Sequence, residues 1–118
     1  YALKTGALFK ACLRAGGILA GATKYQLESL TKYAENFGLA FQITDDILDV
    51  IGDQDAIGKP VGSDFRNQKS TYVTLYSLDE ARLMAQAAVD NALDALSDFG
   101  SEAEVLRSFV KYLLSRNN

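Results

Sequence analysis

Histidine is absent from these 118 residues, and cysteine and proline occur once each, as Cys12 and Pro60. Without histidine, Ser-His-Asp and Cys-His nucleophilic catalysis and His-ligated zinc are excluded, and one cysteine cannot build a disulfide framework. Any chemistry must run on Asp, Glu, Lys, Arg, Tyr, Ser, Thr and amides. A basic excess is lacking too. Lys and Arg total 12 against 15 Asp and Glu, a net charge of −3, and no Lys/Arg-rich run occurs. Nucleic-acid binding through the phosphate backbone needs clustered cations and is not expected. No apolar stretch reaches the roughly 18 residues that span a bilayer. The chain opens on Tyr1-Ala2-Leu3-Lys4, without Met or a signal-peptide pattern, which reads as a cut or processed end of a cytoplasmic protein.

Apolar residues make up 48% and charged residues 23%, the composition of a soluble globular domain, and the length suits one modest domain or a piece of one. On either side of Pro60 the long segments repeat with a 3.6-residue period and no strand-like alternation, so the fold class is all-α. Helices are expected over about 3–21, 24–52, 70–77, 79–98 and 101–116, with a Gly- and charge-containing loop at 53–69. Thr23 is the expected N-cap of the second helix, and Ser101 with Glu104 forms a capping-box pattern for the last. Gly16, Gly17 and Gly21 end the first helix, which points to a tight helix crossing or to a ligand close to the backbone.

The second helix carries the chemistry. At 100° per residue, with Asp45 at 0°, Asp49 falls at about 40°, Gln42 at about 60° and Asp46 at about 100°. Leu39, Ile43, Ile47, Val50 and their apolar neighbours fill the rest of the circumference, so the helix is expected to be buried and its acidic arc to face an enclosed space. Carboxylates about 6 Å apart there would repel by roughly 3 kcal/mol at an effective dielectric near 20. Protonation, a basic partner or a bound metal could relieve this. Three oxygen ligands without His or thiolate suit a hard cation such as Mg²⁺, which uses one or two protein carboxylates and bridges to phosphates. The alternative is a solvated acidic stripe with Lys/Arg neighbours.

Beyond that helix, Gly58-Lys59-Pro60-Val61-Gly62-Ser63-Asp64 and Lys69-Ser70-Thr71-Tyr72 offer close-approach glycines and phosphate-pairing lysines, without the spacing of the nucleotide P-loop. Together with Phe41-Gln42-Ile43-Thr44-Asp45-Asp46-Ile47-Leu48-Asp49, this segment resembles the second aspartate-rich motif, and the loop after it, of the trans-isoprenyl diphosphate synthases. Lys4-Thr5-Gly6-Ala7-Leu8 is similar to the Lys-Thr motif of that family. The tail Tyr112-Leu113-Leu114-Ser115-Arg116 is similar to a family C-terminus but less diagnostic. Among subgroups the motifs look most like bacterial short-chain farnesyl or geranyl diphosphate synthases.

The resemblance implies an isoprenoid-synthase helical bundle, of which this chain carries the C-terminal half, and head-to-tail prenyl transfer. In that chemistry Mg²⁺ ions grip an allylic diphosphate, its C–O bond ionises, isopentenyl diphosphate attacks the cation, and the departing diphosphate takes a proton. Carried over motif by motif, Asp45, Asp46 and Asp49 would serve the metal, and Lys4, Lys59 and Lys69 the allylic diphosphate. Thr5 and Gln42 would lie beside the reacting carbons. For each lysine the alternative is an ordinary solvated charge. The first aspartate-rich motif is not in this chain, so the 118 residues alone are expected to be inactive. A homodimer is the expected assembly. Two rivals are a class I terpene cyclase, against which the Asp45-Asp46-Ile47-Leu48-Asp49 pattern argues, and a non-catalytic subunit that keeps the fold for dimerisation.

Overall fold

A computed structural model of the chain describes residues 2–55 and 76–116, with the side chains of 2–5 and 53–55 outside what is described. Among the described residues there are four α-helices and no strand: α1 (Ala2–Leu19), α2 (Lys24–Asp55), α3 (Leu78–Ala95) and, after a 3₁₀ turn at Ser101–Ala103, α4 (Glu104–Ser115). Helix α2 is the axis of the assembly and packs against each of the other three.

Local chemistry sets the boundaries. Helix α1 stops at Leu19 because Gly21 takes φ +80°, a left-handed conformation that glycine adopts without penalty. The Ala22 N–H then donates to the Gly17 carbonyl at 2.9 Å and the Gly21 N–H to the Ile18 carbonyl at 3.1 Å, the pair of bonds of a Schellman ending. Two residues later, the Gln26 N–H donates to Thr23 Oγ1 at 3.1 Å and the Thr23 N–H to Gln26 Oε1 at 2.9 Å. This reciprocal capping box starts α2.

Several of the sequence expectations differ from the structure: α1 ends at Leu19 rather than 21, and α2 runs through Asp55, into the loop expected at 53–69. Within the expected helix at 70–77, residues 70–75 lie outside the described ones, and Ser77 is not helical but extended, at φ −71° and ψ 165°. Its hydroxyl instead caps α3 by accepting from the Glu80 N–H at 3.1 Å. Helix α3 ends at Ala95, short of the expected 98, in a run of i→i−3 turns through Phe99. The capping box at Ser101 and Glu104 does not form: Ser101 lies inside the 3₁₀ turn, and neither Gly100 nor Ala103 makes a side-chain cap. The Gly100 N–H donates to Glu102 Oε1 at 2.9 Å, which holds that carboxyl below the usual carboxylate range.

Small side chains bring the helices together. Ala81, Ala85, Ala88 and Ala92 form the buried stripe of α3 against Tyr33, Phe37, Ala40, Ile43 and Ile47 of α2. Where α1 crosses α2, a Cβ built on Gly38 would stand 3.8 Å from the Gly6 Cα, so no side chain separates the two backbones there. Gly17 is a second close approach, since a Cβ at that position would meet Leu30 Cδ1 at 3.0 Å. The glycines therefore serve packing at Gly17 and chain reversal at Gly21. Phe37 centres an aromatic row with Phe9 at 4.5 Å and Phe109 at 4.9 Å between ring centroids. Buried Tyr33 donates its hydroxyl to the Leu106 carbonyl at 2.7 Å, and burial raises its phenol pKa well above the usual value.

Arg107 closes the α3–α4 corner. Its guanidinium donates to the carbonyls of Leu96 at 3.0 Å, Phe99 at 2.6 Å and Gly100 at 2.9 Å, adding to the turn bonds that the Leu96 and Gly100 oxygens accept from the Phe99 and Ala103 N–H groups. Each charged bond of this kind is worth about 1.5–3 kcal/mol before the corner relaxes. Arg107→Ala should lower stability by about 2–3 kcal/mol in a urea titration. Arg107→Lys should recover less than half of that, because one ammonium cannot span three divergent carbonyls.

Candidate functional site

Helix α2 is divided lengthwise. Of its buried residues, Tyr33, Phe37, Ala40, Ile43, Thr44 and Ile47 recur at the 3–4 spacing of one face, and Ala34 is buried on the side toward α1. On the same helical wheel, the arc from Asp45 to Asp46 lies roughly opposite the middle of that face. Asp45 and Asp49 are exposed, whereas Asp46 and Gln42 are half-buried. Enclosure of the acidic arc, expected from the apolar circumference, is therefore not what the described elements produce. Helices α3 and α4 cover the core face, and α1 lies along the azimuth of the acidic arc only on upstream turns, at Thr31, Glu35 and Gly38, so that no described element covers Asp45 and Asp49. Leu39, on the edge of that arc, is 38% exposed for the same reason.

The electrostatics change accordingly. Like charges one turn apart in water cost tenths of a kcal/mol rather than the roughly 3 kcal/mol of an enclosed pair. Among the described residues, no group of three acidic, His or Cys side chains could hold one metal ion. Asp45 and Asp49 nevertheless remain a carboxylate pair on consecutive turns of an unbroken helix, open to an ion that brings its remaining oxygen ligands from water and phosphate.

Of the other residues singled out in the sequence, Lys4 and Thr5 lie in the first turns of α1, and their side chains are not among those described. Their backbone is nevertheless located. They directly precede Gly6, which crosses α2 at Gly38, one turn before Gln42. The Lys-Thr segment and the Gln42–Asp45 turn are thus neighbours in space despite their separation in sequence. Lys59 and Lys69 lie outside the described residues.

One contributor escaped sequence reasoning. Arg116, just past α4, donates from Nη2 to Thr44 Oγ1 at 2.8 Å, and its guanidinium carbon lies 4.9 Å from the centroid of the Phe41 ring. Arg116 also closes one side of an otherwise apolar cavity of about 260 Å³ walled by Phe9, Phe37, Phe41, Phe109 and Tyr112. A faint signal existed: Arg116 extends the buried Val110, Leu113 spacing of α4 by one more step.

The family model described as Polyprenyl synthetase matches residues 1–113. The chain belongs to the polyprenyl synthetase family. It is 42% identical over 118 residues to the farnesyl diphosphate synthase of Escherichia coli, covering 97% of this chain and 40% of that protein. Against the dimethylallyltranstransferase of Fischerella ambigua it is 43% identical over 115 residues, covering 98% of this chain and 33% of the relative. An apo crystal structure of an FPP/GFPP synthase from Zymomonas mobilis superposes with a TM-score of 0.75 at 44% identity, over 93% of this chain and 34% of that one. The architecture is accordingly part of the all-α isoprenoid-synthase bundle of the polyprenyl synthetases. The chain spans about a third to two fifths of the length of these relatives.

With both carboxylates in water, little repulsion is stored between them. Asp49→Asn should change the stability of the 118-residue chain by no more than about 0.5 kcal/mol in a urea titration at low salt. A gain of several kcal/mol would show that the pair is enclosed.

Proposed function

We propose that this polyprenyl synthetase chain supplies the second aspartate-rich half of a Mg²⁺-dependent head-to-tail prenyl transferase, joining an allylic diphosphate to isopentenyl diphosphate. The observation that carries the reading is the crossing at Gly6 and Gly38. It sets the Lys4-Thr5 segment beside the turn of α2 that presents Gln42 and Asp45, with Asp49 open one turn further along. The backbone that carries Lys4 and Thr5 is thereby next to the backbone that carries Gln42 and Asp45, and the proposed chemistry requires no nucleophile or histidine.

In this reading Asp45 and Asp49 are Mg²⁺ ligands, Asp46 reaches metal-bound water or the inner shell, and Lys4, Lys59 and Lys69 bind the allylic diphosphate as point charges. Thr5 and Gln42 present a hydroxyl and an amide dipole to the cation that develops as the C–O bond breaks. Bound Mg²⁺ neutralises charge on the departing diphosphate. The open carboxylate pair fits such an ion, since Mg²⁺ keeps several waters and takes few protein ligands. A cytoplasmic homodimer completes the proposal. Exposed Leu8 (67%) and Leu19 (88%) on α1 are apolar surface available for burial in a larger assembly. Among the described residues, no helix is long and apolar enough to cross a membrane.

The deciding measurement is incorporation of labelled isopentenyl diphosphate into longer prenyl diphosphates. Asp45→Ala in the full-length protein should cut Mg²⁺-dependent turnover by about a hundredfold or more, with the fold intact by circular dichroism. Unchanged specific activity in the folded fraction would make the acidic arc structural. The 118-residue chain by itself should form no product. A non-catalytic subunit, by contrast, would show no Mg²⁺-dependent affinity for an allylic diphosphate analogue even at full length.

A further inference from the structure

Thr44 is a fully buried polar side chain, and in sequence it directly precedes Asp45. Its hydroxyl donates to the Phe41 carbonyl at 3.2 Å and accepts from Arg116 Nη2 at 2.8 Å. The same Arg116 nitrogen reaches the Phe41 carbonyl at 3.4 Å. In an α-helix that carbonyl also accepts from the Asp45 N–H. Three donors therefore converge on one oxygen with two lone pairs. Threonine back-bonding and a side chain inserted into the helical ladder both tilt a carbonyl off the axis and bend the helix locally. Asp45 is the residue whose amide shares that oxygen.

The arrangement is expensive as pure packing. Arg116 Nε is buried with no hydrogen-bond partner, and the guanidinium stands at the edge of an apolar cavity over the Phe41 ring. An apolar side chain of similar length would fill the position without leaving a buried donor unpaired. Its guanidinium gains a hold on one turn of α2 from a point 72 residues away in sequence.

We infer that Arg116 is a positioning residue: by holding Thr44 and the Phe41 carbonyl, it sets the pitch of the turn that carries Gln42 and Asp45. Arg116 need not touch substrate for this. The inference rests on the prenyl transfer proposed above, because it assigns Arg116 to the geometry of that site.

The test compares Arg116→Met, Thr44→Val and the double variant in the full-length protein. Replacing both partners by apolar groups removes the unpaired donor, so the double variant should melt close to the native protein. Its Mg²⁺ concentration for half-maximal turnover should nevertheless rise about tenfold, the low end for loss of a support around a metal ligand. Hydrogen exchange at the Asp45 amide should quicken while the amides of α3 keep native protection. A double variant with native melting, native Mg²⁺ midpoint and native Asp45 exchange would overturn the inference, leaving Arg116 a packing brace. Faster exchange with an unmoved midpoint would overturn it as well. Should the double variant fail to fold, Arg116→Lys decides, since an ammonium lacks the planar fork that reaches two acceptors. A native midpoint and native Asp45 exchange in that variant would again refute the role. Absence of Mg²⁺-dependent turnover in the native protein would instead sink the proposed function. The exchange measurement still judges Arg116 in that case, with protection lost only in the Phe41–Asp45 turn supporting the inference and native protection overturning it.

Discussion

Close approach to α2 is the constraint on which the rest depends. A helix of 32 residues, about 48 Å long, cannot form a stable domain from its own hydrogen bonds; it must be flanked. Alanines along α3 and the Gly6–Gly38 contact with α1 remove the side chains that would hold its neighbours off. Leu96, Val110 and Leu113 can then complete one continuous core with Tyr33 and Phe37. The same proximity brings the Lys4-Thr5 backbone alongside Gln42. Packing and the candidate site therefore have a common origin, in residues selected for how little space they take.

Dividing α2 into a core face and an acidic face also explains why the carboxylates are tolerated. Apolar residues on the buried side supply the packing, so Asp45 and Asp49 need no neutralising partner within the described elements. Their mutual repulsion is damped by water. The polyprenyl synthetase relatives are two and a half to three times as long as this chain, and an acidic face bordered by half-exposed Leu39 is the surface a larger fold would have reason to cover.

Polar groups that cross between helices do more here than charge on the surface. Arg107 donates to three carbonyls at the α3–α4 corner, and Arg116 ties the end of α4 to Thr44. In both cases a planar, multiply donating cation meets carbonyl or hydroxyl oxygens of another segment. By comparison, the exposed Lys10–Glu35 pair between α1 and α2, at 3.4 Å, contributes little.

Composition and periodicity were enough to determine that the chain is all-α, that Thr23 starts a long helix, and that Gln42, Asp45, Asp46 and Asp49 share one arc of it. These are local properties, set by a 100° step and by side chains that cap their own backbone. Two features depended on the tertiary structure: the exposure of the acidic arc and the clasp of Arg116 on Thr44. Each turns on which distant residue arrives at a given face. Helices α3 and α4 cover the core side of α2 while α1 meets the other side only upstream of Asp45, at Gly38, and Arg116 comes from 72 positions away. No period in the sequence encodes such meetings, because they are decided by which arrangement of whole helices buries the most apolar surface.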